Sequence, residues 1–152
     1  DGIRDVAVTG VQTCALPILF LGCTYTDPVY GKTFRQFYPG TTNISDIQAY
    51  VLDDPDALFK VAVVTAYNST TIGYVNRDSV GKNAILAQNT GSTITGNSKV
   101  AVDDTTATTS TWPVRIVDVA PETALAGNPG SYTEVIVKWN QGMHQYLNPT
   151  GV

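Results

Sequence analysis

The chain has 152 residues, of which 43% are hydrophobic and only 14% charged, and its formal net charge is −4. Intrinsic disorder is excluded, because disordered chains are poor in apolar residues and rich in net charge. The nine Lys and Arg residues are scattered singly, and they cannot form the basic stripe that follows a phosphate backbone, so nucleic-acid binding is not expected. The length suits one domain with a core that needs neither metal nor disulfide.

The first 18 residues, DGIRDVAVTGVQTCALPI, form a distinct segment. They resemble a translated sequencing-adapter read-through of the kind found at the ends of metagenomic genes, and the resemblance stops at Ile18. It implies that residues 1–18 are not native and that Cys14 belongs to the non-native part. The expected native part is then a single β domain over 19–152, truncated at its N-terminus, with a C-terminal tail over 140–152.

The apolar run from Ala15 to Cys23 allows a second interpretation, because it ends in FLGC, which resembles a lipoprotein cleavage box. A secretory signal needs a basic n-region, whereas the residues before this run hold more acidic than basic groups. Pro17 interrupts the run, which is also too short to span a bilayer. We therefore predict a buried strand from about Leu16 to Cys23, with Cys23 as a small hydrophobe that has no disulfide partner.

β-branched residues recur along the chain and no window has a convincing helical period, which indicates strands. In chain order the further predicted strands are 32–38, 47–52, 57–64, 70–75 (a possible strand), 99–103, 113–119 and 132–139. A helical turn is allowed only within 76–88, and 103–111 and 120–130 are predicted loops. Turn clusters separate the strands by about 10–20 residues. The sequence predicts an all-β fold, an antiparallel β-barrel or β-sandwich of about seven to eight strands.

Alternation in the last two predicted strands indicates which side chains share a face. Val135, Val137 and Trp139 share one face of the final strand. Val114 and Ile116 share one face of the strand before it. The strand over 57–64 is apolar on both faces, which predicts a central position or cover on both sides.

No motif in the sequence indicates catalysis. His144 is the only histidine and lies in a polar C-terminal segment, and there is no GxSxG nucleophile elbow or phosphate-binding glycine loop. Asp53, Asp54 and Asp56 cluster at one turn, but the spacing of an EF-hand is absent and Asp is ordinary in tight turns. We therefore expect a protein that is not an enzyme and has no cofactor or metal, and leave open whether this acidic turn holds a cation.

Aromatic and amphipathic side chains in the C-terminal tail indicate a partner interface. The tail follows the last predicted strand, is rich in Asn, Gln, Gly and Pro, and offers its aromatic residues no further strand. Tyr and Trp are favoured at interfaces because they bury a large area at low entropic cost. The candidate interface residues are Trp139, Met143, His144 and Tyr146.

From Phe20 onward the chain resembles a family of short structural proteins that marine tailed phages encode beside their capsid genes. The stretches that carry the resemblance are FLGCTYTDP (20–28), DDPDALFKV (53–61), PVRIVDV (113–119) and the strand 132–139 followed by HQY (144–146). It implies a virion component, a head decoration (cement) protein that binds the phage major capsid protein and itself. It implies location in the phage head after synthesis in the bacterial cytoplasm, with no nucleic-acid or membrane partner and no catalytic residue.

Two alternatives remain at this stage. A glycan-binding module associated with a phage tail or fibre should show a shallow groove lined by exposed aromatic and planar polar side chains, with Trp112 and Tyr74 as the first candidates. A secreted or lipid-anchored bacterial β-domain would use Cys23 and is disfavoured if this side chain lies inside the protein. A decoration protein should instead show buried tryptophans, a flat contact face and a projecting tail.

Overall fold

The structure, a computed structural model, describes residues 19–41, 43–65, 71–89, 91–92, 94, 98–123, 132–140, 147 and 149–150, with the backbone alone at Leu19. The strands within these residues are β1 (Leu19–Asp27), β2 (Gly31–Arg35), β3 (Ser45–Leu52), β4 (Phe59–Val64), β5 (Asn83–Ala87), β6 (Ala101–Ala107), β7 (Val114–Val119) and β8 (Glu134–Trp139). A single 3-10 turn, Arg77–Ser79, precedes β5. The prediction of an all-β fold with seven to eight strands is confirmed.

The eight strands divide into two sheets. β2, β1 and β3 form a three-stranded antiparallel sheet in that order, and β4-β6-β5-β7-β8 close into a barrel. Every pair in the barrel is antiparallel except β4 and β6, which run parallel. The wholly antiparallel arrangement expected from the turn spacing therefore fails at this pair, because the chain between β4 and β6 crosses over and returns in the same direction.

The barrel is filled by side chains that alternate inward along its strands. The predicted sharing of faces in β7 and β8 is confirmed, since Val114, Ile116, Val135, Val137 and Trp139 are all buried. A bulge between Ile116 and Asp118 shifts the alternation of β7. The predicted central position of the fourth strand is also confirmed, because β4 lies between β8 and β6.

Three stretches differ from their predictions. The possible strand over 70–75 reduces to one isolated bridge between Val64 and Ile72. The region 76–88 begins with the allowed helical turn but continues as β5. The loop prediction for 103–111 is wrong in its first half, because β6 runs to Ala107. Thr has a high β propensity, and Asp103 is accommodated because its Oδ1 accepts a hydrogen bond from the Thr105 backbone N–H at 2.7 Å.

Two buried asparagines hold the remaining loop, 108–113, against the barrel. The Asn140 side chain donates to the carbonyl oxygens of Ser110 at 3.1 Å and Trp112 at 3.0 Å. The Asn83 side chain donates to the Thr109 carbonyl at 2.9 Å. Such side-chain bonds satisfy loop carbonyls that no strand can reach.

The three-stranded sheet has a small core of its own. Phe20, Cys23 and Tyr25 of β1 are buried, and Tyr38 and Ile44 pack against them. Leu52, at the end of β3, packs instead against the barrel core. The organisation of 19–152 as one domain stays a prediction.

Candidate interaction surface

Exposed apolar side chains are concentrated in the three-stranded sheet. Leu21, Phe34, Ile47, Tyr50 and Val51 all lie in its strands and are 43–57% exposed. In the described strands of the barrel, the only comparably exposed large hydrophobic residue is one valine of β7. Scattered exposed hydrophobics are normal, whereas a contiguous group marks an interaction site. Within this set, Phe34 and Tyr50 are in contact with each other.

The register of the sheet brings two aromatic rings together over a glycine. Gly22 of β1 lies opposite Tyr50 of β3, and Phe34 lies on the neighbouring strand β2. A Cβ atom on Gly22 would lie 2.8 Å from Cζ of Phe34, so only glycine leaves room for this ring. The ring centroids of Phe34 and Tyr50 are 6.2 Å apart, within the range of favourable aromatic contacts. We call Phe34, Tyr50 and the adjacent Gln48 and Thr24 the aromatic face.

The opposite face of this sheet contains the small core. Cys23 lies in the middle of β1 and is only 1% exposed. Its Sγ donates to the Phe37 carbonyl oxygen at 3.5 Å, and burial raises the pKa of the thiol. A buried, protonated thiol is a poor nucleophile. This placement counts against lipid attachment through Cys23.

The hairpin between β1 and β2 ends in a rigid apolar tip. Asp27 Oδ1 accepts hydrogen bonds from the backbone N–H groups of Val29 at 2.8 Å and Tyr30 at 3.1 Å. Gly31, at φ +73°, completes the turn, in a conformation that glycine adopts without strain. Val29 and Tyr30 are 78% and 80% exposed, so the turn presents two large side chains to solvent in a fixed conformation.

The two outer strands of the sheet are protected differently. β2 has five residues, two of which are Lys32 and Arg35. Short length and basic side chains are features by which natural edges avoid pairing with another chain. β3 has eight residues and carries Asp46 as its single charged side chain. Every residue of β3 except Leu52 is exposed.

Of the predicted interface residues, the described part of the chain contains Trp139. Its side chain is 9% exposed and packs in the barrel core against Phe59, with ring centroids 5.5 Å apart. Met143, His144 and Tyr146 lie outside the described residues. The interface role of the tail stays a prediction.

The acidic turn between β3 and β4 is organised by local contacts. Asp54 Oδ1 accepts from the Asp56 backbone N–H at 2.9 Å, and Asp56 pairs with Lys138 of β8 at 3.2 Å. Among the described residues, no group of three or more His, Cys, Asp or Glu side chains is placed to hold a metal ion. The contacts are those of an ordinary Asp-rich turn.

The two aromatic residues predicted for a glycan groove lie in the barrel part. Tyr74, just before the 3-10 turn, is 40% exposed. Trp112 is half-buried in the loop that Asn140 holds. Phe34 and Tyr50 are not among the predicted site residues. Alternation separates buried Tyr25 from exposed Phe34 only once the pairing of β1 with β2 is known.

Comparison with known proteins finds no matching family model, no matching curated protein and no matching solved structure. Within the described ranges, no helix is long and apolar enough to cross a membrane.

Proposed function

We propose that this chain is a non-enzymatic structural component of a phage virion, a decoration (cement) protein that binds the head lattice through the major capsid protein and also contacts its own copies. The observation that carries the proposal is the apolar three-stranded sheet beside a closed barrel. The resemblance of residues 20–152 to virion proteins encoded beside capsid genes is the reason for proposing the phage head as the assembly to which the sheet binds.

The two sheets suit two tasks in such a protein. A closed barrel has no free strand edges, so it forms a rigid body that does not pair with neighbours. The aromatic face and the hairpin tip expose apolar area that docking on a shell would bury. Affinity then comes from weak contacts repeated over the lattice, since each added contact raises the avidity without requiring a tight single site.

The proposal is tested by producing the chain together with the capsid protein encoded beside its gene and separating assembled shells on a sucrose gradient. We expect the chain to sediment with the shells. The variant Phe34→Ser/Tyr50→Ser should lose at least about tenfold of this binding, because the aromatic face supplies desolvated contact area.

A matched control is Val117→Ser, which changes an exposed apolar residue of the barrel (38% exposed). This variant should sediment with shells like the parent chain. Recovery of the parent chain only at the top of the gradient, with shells present, would overturn the proposal.

A glycan-binding module of a phage tail or fibre is the second candidate. Its supporting observation is again the aromatic face, because exposed rings beside the planar amide of Gln48 match the apolar face and hydroxyl groups of a sugar. A glycan array probed with the parent chain and with Tyr50→Ala distinguishes the two functions. Glycan binding that Tyr50→Ala abolishes, without binding to shells, would replace the decoration function.

A further inference from the structure

The outer edge of β3 is longer and less charged than that of β2, and a register shift beside Asp46 (φ +50°) interrupts only its first residues. β1 pairs with one side of β3, and no described strand pairs with the other. Its side chains from Ser45 to Val51 are exposed on both faces of the sheet. A long, uncovered strand with few charges is a template for another strand.

We propose that β3 pairs antiparallel with β3 of a second copy of this chain, across a two-fold axis at Ala49, and so joins two three-stranded sheets into one of six strands. This pairing rests on the proposed function, in which copies of the chain contact one another, and it names the strand through which they do so. Its tests use the chain alone, so that they fail or succeed independently of shell binding.

The charges on the two edges favour β3 over β2. Pairing β2 with its own copy would bring Lys32 and Arg35 of both chains to one seam, where like charges oppose association. β3 contributes only Asp46. Antiparallel pairing about Ala49 places the two Asp46 carboxylates at opposite ends of the seam, where the register shift beside Asp46 ends the regular part of β3.

The side-chain pattern of β3 selects the register. Across a two-fold axis normal to the sheet, residues that lie directly opposite must share a face, so one residue lies opposite its own copy. With Ala49 on the axis, exposed Ile47 faces exposed Val51 of the second copy, and the small Ala49 meets itself. A shift of the axis to Tyr50 would set Ile47 opposite Asp53, a less favourable pair.

The contact is expected to be weak in solution. One pair of strands buries less than the roughly 1,200 Å² that stable specific dimers need. The dimer should therefore form as the concentration rises from about 10 µM to about 1 mM. On a lattice that holds neighbouring copies close together, the same contact becomes effective.

The test is oxidative cross-linking of Ala49→Cys in the full chain with Cys14→Ser and Cys23→Ala. The second background change is needed because Ala49 lies opposite Cys23 in the β1–β3 register and would otherwise form an intramolecular disulfide. Directly opposite residues place their Cβ atoms about 4.5–5.5 Å apart. We expect a disulfide-linked dimer whose yield rises with protein concentration.

Two cysteine controls use the same background. Gln48→Cys faces Tyr50 of the second copy in this register, and its own copy lies about 7–8 Å away on the diagonal. Thr33→Cys places the thiol on β2 at the other edge of the sheet. Both should cross-link at least about tenfold less than Ala49→Cys, since the Cβ separation of directly opposite residues lies close to that of a disulfide, whereas a diagonal pair and two residues on distant edges lie far beyond it.

A charge variant provides an independent measurement. Ala49→Lys places two ammonium groups at the axis and should abolish the concentration-dependent rise in sedimentation coefficient, while Thr33→Lys leaves it unchanged. A parent chain that remains monomeric to about 1 mM, or stronger cross-linking at Thr33→Cys than at Ala49→Cys, would overturn the inference. Shell binding by a monomeric chain would leave the proposed function standing without this contact.

Discussion

The barrel and the three-stranded sheet are built from similar strands, yet the barrel buries its apolar side chains whereas the sheet leaves many of them exposed. Val63 and Val135 of the barrel have no exposed surface, whereas Ile47 and Val51 of β3 are nearly half exposed. Among the described residues, the barrel core joins twelve buried side chains and the sheet core joins three. A sheet that closes on itself covers one face of every strand, and a small open sheet cannot. We therefore expect the barrel to provide most of the stability of the protein and the three-stranded sheet to provide its interaction surface.

The largest expected effect is the contrast between two isoleucines. Ile116→Ala empties a fully buried site of the barrel and should lower the free energy of unfolding by about 2–5 kcal/mol. Ile47→Ala, at a site 47% exposed in the sheet, should lower it by less than about 1 kcal/mol. Urea titration measures both. Equal losses would mean that β3 is covered and that the division between the two regions is wrong.

A smaller loss is expected from the asparagine that attaches the 108–113 loop to the barrel. Asn140→Ala leaves the carbonyls of Ser110 and Trp112 without their side-chain donor, which should cost about 1–3 kcal/mol. Exposed Asn43, in the region of the three-stranded sheet, is the matched control, and Asn43→Ala should change stability by less than about 0.5 kcal/mol. Thermal unfolding compares the two, and an equally mild Asn140→Ala would show that the barrel does not depend on this attachment.

Gly22 tests the sheet without disturbing the barrel. Its φ is +147°, and an added Cβ would meet the Arg35 carbonyl oxygen and the Phe34 ring at 2.8 Å. Gly22→Ala should cost about 1–2 kcal/mol locally and speed amide hydrogen exchange in β1 and β2, with barrel amides unchanged.

Gly31→Ala separates backbone strain from steric clash, because Gly31 also has a positive φ but nothing lies within 4 Å of its added Cβ. It should affect exchange less than Gly22→Ala does. Faster exchange throughout the barrel after Gly22→Ala would show that the two regions unfold together.

The smallest effect is expected on the barrel exterior, where Lys60 of β4 pairs with Glu134 and Glu122. The hydrogen bonds that the Lys60 ammonium group donates to Glu134 and, second, to Glu122 raise the pKa of Lys60. The backbone hydrogen bond of Glu122 and then its bond to Lys60 lower the pKa of Glu122. The stabilisation of the folded state by ionised Glu122 is therefore fully present above the pKa of Glu122 in the unfolded chain, and it is lost as the pH falls through the lower pKa of the folded state. The stabilisation of the folded state by protonated Lys60 is fully present below the pKa of Lys60 in the unfolded chain, and it is lost as the pH rises through the higher pKa of the folded state.

Because these groups are exposed, solvent screens their interaction. Lys60→Met should change the unfolding temperature at neutral pH by less than about 1 °C and should weaken its dependence on acid pH. Unfolding curves between acid and neutral pH measure this, with Lys82→Met as the control at another lysine of the barrel part. A fall of several degrees in the unfolding temperature of Lys60→Met would contradict this, because it would show that the exposed ion pairs contribute substantially to stability.

Local pattern predicted much of the barrel. Alternation correctly grouped Val137 and Trp139 on one face of β8, and both are buried, although Trp139 is also one of the predicted interface residues. The second half of β6 escaped prediction because Asp103 and Asp104 resemble turn residues, and only the fold shows that Asp103 is buried with a backbone donor. The phase of β7 beyond Ile116 also escaped, because a bulge makes Val119, rather than Asp118, the next inward residue.

The candidate surface was less predictable than the core. The sequence drew attention to the tail and to Trp139 before it, whose ring packs in the barrel core. Phe34 and Tyr50 of the aromatic face were not among the predicted interface residues. Phe34 and Tyr50 are far apart in sequence, and their contact depends on the β1–β2 and β1–β3 registers and on the missing side chain of Gly22. Registers between distant strands are long-range facts that no local window contains.

The sequence by itself determined the all-β class, most strand positions and the inward faces of the last two strands, because a period of two is written into neighbouring residues. Tertiary structure decided which strands close into a barrel and which remain in an open sheet, because closure depends on pairing between distant segments. The abundant apolar residues of this chain of low charge are therefore divided between the buried barrel core and the exposed three-stranded sheet.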